Sequence, residues 1–174
     1  MAEKTNHIIG VMSGTSLDGV DLAYIRIDHD QTYRFEILAA TTISYDERWI
    51  SLLQEGFHLS GAKLAALDTK YGTLLGNFIN RFINEFEINE VDFIASHGHT
   101  IFHRPSNKYT LQIGNGPQIS SITGLKTICN FRVQDVALGG QGAPLVPIGD
   151  QLLFSKYDYC LNLGGFSNIS LEKN

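Results

Sequence analysis

The stretch Ile8-Ile9-Gly10-Val11-Met12-Ser13-Gly14-Thr15-Ser16-Leu17-Asp18-Gly19-Val20-Asp21 decides how the rest of the chain is read. An apolar run too short for a helix enters a turn of glycines and hydroxyls. A second apolar run, Val20, Leu22, Ala23, Tyr24, Ile25 and Ile27, leaves it, which is the pattern of a β-hairpin. Gly14 and Gly19 are expected to supply positive φ and a close backbone approach to a ligand, Ser13, Thr15 and Ser16 to add donors, and Asp18 a carboxylate. A phosphate with bound magnesium wants these groups, and a plain hairpin turn without a ligand uses the same composition.

Outward from this hairpin, residues 33–43 alternate cleanly and predict a third strand antiparallel to the second. Residues 46–55 carry Trp49, Ile50, Leu52 and Leu53 at helical spacing, with Gly56 as terminator. Ser60 is a candidate N-cap for a helix of about six turns, in which Leu64, Leu67, Tyr71, Leu74, Phe78 and Phe82 form a core-facing stripe. Gly72 and Gly76 on it suggest close packing against a neighbour. Residues 91–96 read as a buried strand running into His97-Gly98-His99-Thr100, followed by a hairpin over 101–113 turning at Ser106-Asn107. Pro117 suits the first position of a helix through Thr123, and residues 127–131 read as a strand. Residues 131–147, "FRVQDVALGGQGAPLVP", read as a long glycine-dense connection, and 148–155 as a short helix. The order is β-β-β-α-α-β-(hairpin)-α-β, an α/β layer with a mixed sheet.

The 174 residues carry 43% hydrophobic side chains, enough for a packed core. A net charge of −5 with 13 scattered basic residues argues against a nucleic-acid stripe or a polybasic membrane patch, which leaves small molecules as the expected partners. No segment approaches the ~18 apolar residues of a membrane span, and no basic leader precedes an apolar stretch, so the expected location is the cytoplasm. Cys129 and Cys160 lie in apolar runs outside any CxxC context and are expected to be reduced core thiols. His97 and His99 alternate toward one side, but no Cys, Asp or Glu follows at ligand spacing, so a zinc site is not expected.

The chain finishes on "LNLGGFSNIS", residues 161–170, which repeats the opening design of strand, glycine and hydroxyl turn, and strand. We expect residues 1–147 to form one lobe and 148–174 to begin a second, similar one. "GVMSGTSLDGVDLA", "ASHGHTIFHRP", "LQIGNG", "FRVQDVALGGQGAPLVP" and "LNLGGFSNIS" together resemble the anhydro-N-acetylmuramic acid kinase family of bacterial cell-wall recycling, over residues 8–170. That family belongs to the sugar kinase, actin and Hsp70 superfamily. The resemblance implies an actin-like ATPase (ribonuclease H-like) α/β fold, with three leading antiparallel-type strands in a mixed sheet and flanking helices. ATP would lie between two lobes, with magnesium, and the reaction would hydrolyse the 1,6-anhydro bond of an amino sugar and phosphorylate O6, giving N-acetylmuramic acid 6-phosphate.

By that resemblance Gly14, Thr15, Ser16, Leu17, Asp18, Gly19, Val20 and Asp21 hold the ATP phosphates, with Asp18 a water-mediated magnesium partner. Gly164, Gly165, Ser167 and Asn168 form the opposing side. Ser13, His97, Thr100, Asn115, Gly116 and Arg132 are the implied sugar contacts, and Asp135 is the implied base that activates water toward C1. Several of these have a plainer alternative: Ser13 and Ser16 as turn residues, Asp135 as a helix N-cap or loop carboxylate, and, with equal weight, Arg132 as the partner of a core-edge carboxylate. The family commonly has Asp where this chain has Asn130, and Gln where it has His99. Two further readings stand beside the kinase: a non-catalytic lobe that binds the amino sugar, forming a homodimer or pairing with a separate second lobe, and a hydrolase built on Ser96-His97, for which no GxSxG elbow is present.

Overall fold

The computed structural model describes residues 4–14, 16–163 and 167–171. Strands β1 (Lys4–Ser13), β2 (Gly19–His29) and β3 (Tyr33–Ser44) open it. After α1 (Glu47–Glu55) and α2 (Gly61–Glu85) the chain returns as β4 (Phe93–Ser96), then forms the hairpin β5 (His99–Arg104) and β6 (Tyr109–Ile113). Next come α3 (Gly116–Thr123), β7 (Thr127–Ile128), α4 (Val133–Ala137) and α5 (Val146–Leu153). A last hairpin pairs β8 (Tyr159–Asn162) with β9 (Asn168–Leu171).

The main sheet has the order β3-β2-β1-β4-β7, antiparallel on the β1–β3 side and parallel from β1 to β7. This mixed five-stranded sheet with flanking helices is the architecture of an actin-like ATPase domain. Alternation decides which side of each strand is covered: Ile9 and Val11 on β1 and Val20 and Leu22 on β2 point into the core, with Ile94 of β4 beside them. Against them pack Leu64, Leu67, Tyr71, Leu75, Ile79 and Phe82, the buried stripe of α2.

Gly72 and Gly76 mark the expected close approach. A Cβ on Gly72 would come 2.8 Å from the Asn115 carbonyl oxygen, and one on Gly76 would come 2.9 Å from Ile122. The α2 backbone therefore rests on the turn that starts α3 at Gly72 and on the last turn of α3 at Gly76.

Several local expectations are corrected. Positive φ in the first turn belongs to Leu17 (59°), not to Gly14 or Gly19, and what Gly19 allows is the β3 backbone: its Cβ would meet the Ile43 carbonyl oxygen at 2.6 Å. Ser60 occupies the N-cap of α2 without a side-chain cap bond, and Gly56 leads from α1 into a 3-10 turn over Gly56–His58. The strand expected over 127–131 stops at Ile128, because Asn130 takes a left-handed φ of 62°. The connection expected over 131–147 contains α4 and the first turn of α5. Cys129 and Cys160 are free but only half-buried, since β7 ends before Cys129 and β8 lies outside the main sheet.

Candidate functional site

The strands β1 and β4 run parallel, and just past the end of β4 the His97 N–H donates to the Val11 carbonyl (3.0 Å). The loop after β4 is thereby pinned beside the β1–β2 turn. From the other direction β6 delivers Gly114 and Asn115, and Asn115 starts α3 by accepting the Gln118 N–H on its side-chain oxygen (3.0 Å). Between these loops and α2 lies a pocket of about 170 Å³ whose lining includes Asp68, Ser96, His97, Gln112, Asn115 and Gly116.

Asp68 braces one wall. One carboxylate oxygen accepts the Gly114 N–H (2.7 Å) and the other the Asn115 side-chain N–H (3.0 Å). At the base of the pocket Ser96 is 1% exposed and Gln112 8% exposed, and neither the Ser96 hydroxyl nor the Gln112 Oε1 has a partner among the described residues. The orientation of the Gln112 amide follows from its neighbours. Thr110 gives its hydroxyl proton to the Phe102 carbonyl (3.2 Å), so it can only accept from Gln112 Nε2 (2.8 Å). The same nitrogen reaches Thr100 Oγ1 at 3.4 Å. Buried acceptors left open are costly unless a ligand or water completes them.

A chain of contacts runs from the pocket to the carboxylate of the glycine-dense segment. His97 Nδ1 meets the Gly98 carbonyl (2.8 Å), which places its proton there, and Nε2 accepts from Arg132 Nε–H (2.9 Å). Burial pushes the His97 pKa down, the bond to Gly98 opposes this, and the Arg132 charge pushes it down further, so the ring is neutral. Arg132 Nη1 also donates to the Gly142 carbonyl, while the Gly142 N–H donates to Asp135 Oδ2 (2.6 Å). Arg132 and Asp135 thus hold the carbonyl and the N–H of the same residue, Gly142, and the loop 138–142 folds back over the first turn of α4. Burial lowers the Arg132 pKa somewhat.

In the β1–β2 turn the Ser16 hydroxyl donates to Asp18 Oδ1 (2.7 Å), and that bond, first among its causes, holds the Asp18 carboxyl below its ordinary value. An exposed, ionised carboxylate fits a magnesium ion shared with phosphates through water, because magnesium keeps several waters and takes few protein ligands. Among the described residues no three His, Cys, Asp or Glu side chains converge on a metal position. Asp21 accepts from Thr42 (2.6 Å), and Val20 is core. Ser13 lies 2% exposed beneath the turn, where Tyr71 donates to it (2.6 Å) and Tyr45 stands at 2.8 Å. His99 starts β5 with its pKa lowered by burial, opposed by a backbone contact with Gly14.

Of the residues singled out from sequence, His97, Asn115 and Gly116 line one pocket. Arg132 joins them through His97, Asp135 through the Gly142 peptide, and Thr100 through Gln112. Ser13 stands apart from that pocket, in the buried hydroxyl cluster. Gly14, Ser16, Leu17 and Asp18 share the first turn and Gly19 begins β2 after it; Thr15, Gly164 and Gly165 fall outside the described residues, Ser167 precedes β9 and Asn168 begins it. The hydrolase reading is overturned: the Ser96 hydroxyl has no hydrogen bond to His97, whose two nitrogens are engaged by Gly98 and Arg132.

Sequence reasoning missed Asp68 and passed over Gln112. The signal for Asp68 was present: it is a carboxylate at helical spacing from Leu64 and Tyr71, half-buried beside the apolar stripe of α2, where an acid gains from a partner.

The family model for anhydro-N-acetylmuramic acid kinase matches residues 6–173. Among curated proteins, an anhydro-N-acetylmuramic acid kinase of Pseudoalteromonas translucida (strain TAC 125) is 38% identical over 94% of this chain and 45% of its own length. One from Pseudoalteromonas atlantica (strain T6c / ATCC BAA-1087) is 36% identical over 97% of this chain and 46% of its own length. One from Bacillus thuringiensis subsp. konkukian (strain 97-27) is 36% identical over 95% of this chain and 47% of its own length. The chain spans about half the length of the curated relatives it matches.

Proposed function

The chain belongs to the anhydro-N-acetylmuramic acid kinase family, and from that premise we propose that it supplies the sugar-binding lobe of a cytoplasmic kinase that uses ATP and magnesium to convert 1,6-anhydro-N-acetylmuramic acid into N-acetylmuramic acid 6-phosphate. The observation that carries this reading is the pocket that gathers His97, Asn115 and Gly116, with Arg132 and Asp135 linked to its edge. In this proposal residues 1–147 are the lobe itself, and 148–174 open a second one.

The chemistry has two parts. Asp135 takes a proton from water as the water oxygen bonds to C1 and the C1–O6 bond breaks; O6 then bonds to the γ-phosphorus of ATP, and ADP leaves. Asp135 Oδ2 is held by the Gly142 N–H, and Oδ1 has no hydrogen-bond partner among the described residues, which suits it to meet water. Arg132 has five N–H groups, two of them given to His97 and Gly142, so its positive charge and remaining donors can face sugar or phosphate oxygens. The turn 14–21 offers hydroxyls and Asp18 to the phosphates, and magnesium would neutralise their charge.

The span of about half the relatives' length favours a second reading, in which these residues bind the amino sugar and turnover requires a partner lobe. Calorimetry with the anhydro sugar and with Mg-ATP, followed by mass spectrometry for the 6-phosphate, separates the two. Product formation supports the kinase, sugar binding without product supports the module, and no sugar binding overturns both. Asp135→Asn is expected to slow product formation about 100-fold or more; an Asp135→Asn protein with unchanged turnover would remove Asp135 from the role of base.

A further inference from the structure

We propose that Asp68 is a positioning residue for sugar binding, acting through the turn at Gly114–Asn115; this rests on the reading of the pocket as the sugar site. Asp68 comes from the N-terminal third of α2, 46 and 47 residues before its partners, and both its oxygens are committed to that turn. One fixes the Gly114 backbone, the other one N–H of the Asn115 side chain. The Asn115 oxygen is committed in turn to the Gln118 N–H. A single N–H of that amide is left over, and its direction is set by the bond to Asp68.

The wall so fixed is part of the pocket that holds the two open, deeply buried polar atoms of Ser96 and Gln112. These independently mark the pocket as a place that a polar ligand or water completes. At about 170 Å³ it is smaller than the roughly 300 Å³ at which whole-ligand pockets begin, so it grips one side of a sugar, and the placement of a few donors decides the affinity. Asp68 does not need to touch the sugar. It turns a glycine-rich loop that would otherwise sample several arrangements into one prepared wall.

The pairing can be inverted without changing shape. Asp68→Asn sets its new amide nitrogen against either the Gly114 N–H or the Asn115 amide nitrogen, donor facing donor in both orientations. Adding Asn115→Asp restores a donor and an acceptor, and Asp remains a good N-cap for α3. Two readouts are needed on the 174-residue chain, both well below its melting temperature: hydrogen-exchange protection of the Gly114 amide, without sugar, and affinity for 1,6-anhydro-N-acetylmuramic acid by calorimetry.

Asp68→Asn is expected to lose Gly114 protection and to weaken sugar binding at least tenfold. The double variant is expected to regain the protection but, with no Asn115 N–H left to donate, to bind sugar no more tightly than Asp68→Asn alone. Wild-type affinity in Asp68→Asn, or a double variant that recovers no Gly114 protection, overturns the proposal. If wild-type protein binds no sugar, the sugar reading fails, and with it the role of Asp68 in binding. Protection that still switches between the variants in that case shows the brace to be purely structural.

Discussion

His97 and His99 both sit in surroundings that favour the uncharged ring, burial being the first cause for each. In the unfolded chain they titrate near the ordinary value of 6.5 and in the folded one below it. Between those values the unfolded state binds more protons, so the stability they contribute is complete above about 6.5 and is lost as the pH falls through the folded values. Thermal melts are expected to show a lower midpoint at pH 5 than at pH 7.5, and His97→Gln, which keeps an acceptor for Arg132, should flatten that dependence relative to wild type. A second test at this scale concerns the hydroxyl cluster beneath the first turn. Tyr71→Phe removes the proton donated to Ser13 inside a fully buried site and should cost about 1–2 kcal/mol, read as a lowered melting temperature. Single residues were the least legible part of the sequence. The roles of Asp68 and Gln112 depend on partners brought in by the fold, and Asp68 meets its partners only once α2 lies against a turn 46 residues further on. Leu17 shows the same limit in the backbone: the positive φ fell on it rather than on either flanking glycine.

At the scale of elements, legibility followed periodicity. Strands β1, β2 and β3, the long α2 and the β5–β6 hairpin carry patterns sustained over many residues, and they stand close to where those patterns place them. The misses are short. A five-residue α4 has too few turns to show a period, and β7 has only two residues before Asn130 turns the chain away. The contact between α2 and the Asn115 turn gives a paired test. An Ala at 72 gains helix propensity of about 1 kcal/mol, but its Cβ would press on the Asn115 backbone, and overpacking costs about 1–3 kcal/mol. We expect Gly72→Ala to lower the melting temperature and weaken sugar binding. Gly61→Ala, whose Cβ would meet nothing within 4 Å, should do neither.

For the molecule as a whole, the sheet order places together segments that are distant in sequence. The β1–β2–β3 meander closes through local turns, whereas the parallel β1–β4 seam joins residues such as His7 and Asp92, 85 positions apart and linked by the His7 N–H to the Asp92 carboxylate at 2.7 Å. The pocket lies past the end of that seam. Local pairings form early in folding, and contacts that close long loops form late and slowly. The single tryptophan, Trp49, packs on Tyr71 with ring centres 5.7 Å apart, so its fluorescence reports the docking of α1 on α2. In refolding from urea, Trp49 fluorescence is expected to recover before Ile94 and His97 acquire amide protection; simultaneous recovery would contradict this order. If that order holds, the seam that carries the pocket closes after the meander, and under the proposed function a nascent protein would gain its affinity for sugar only once that seam has formed.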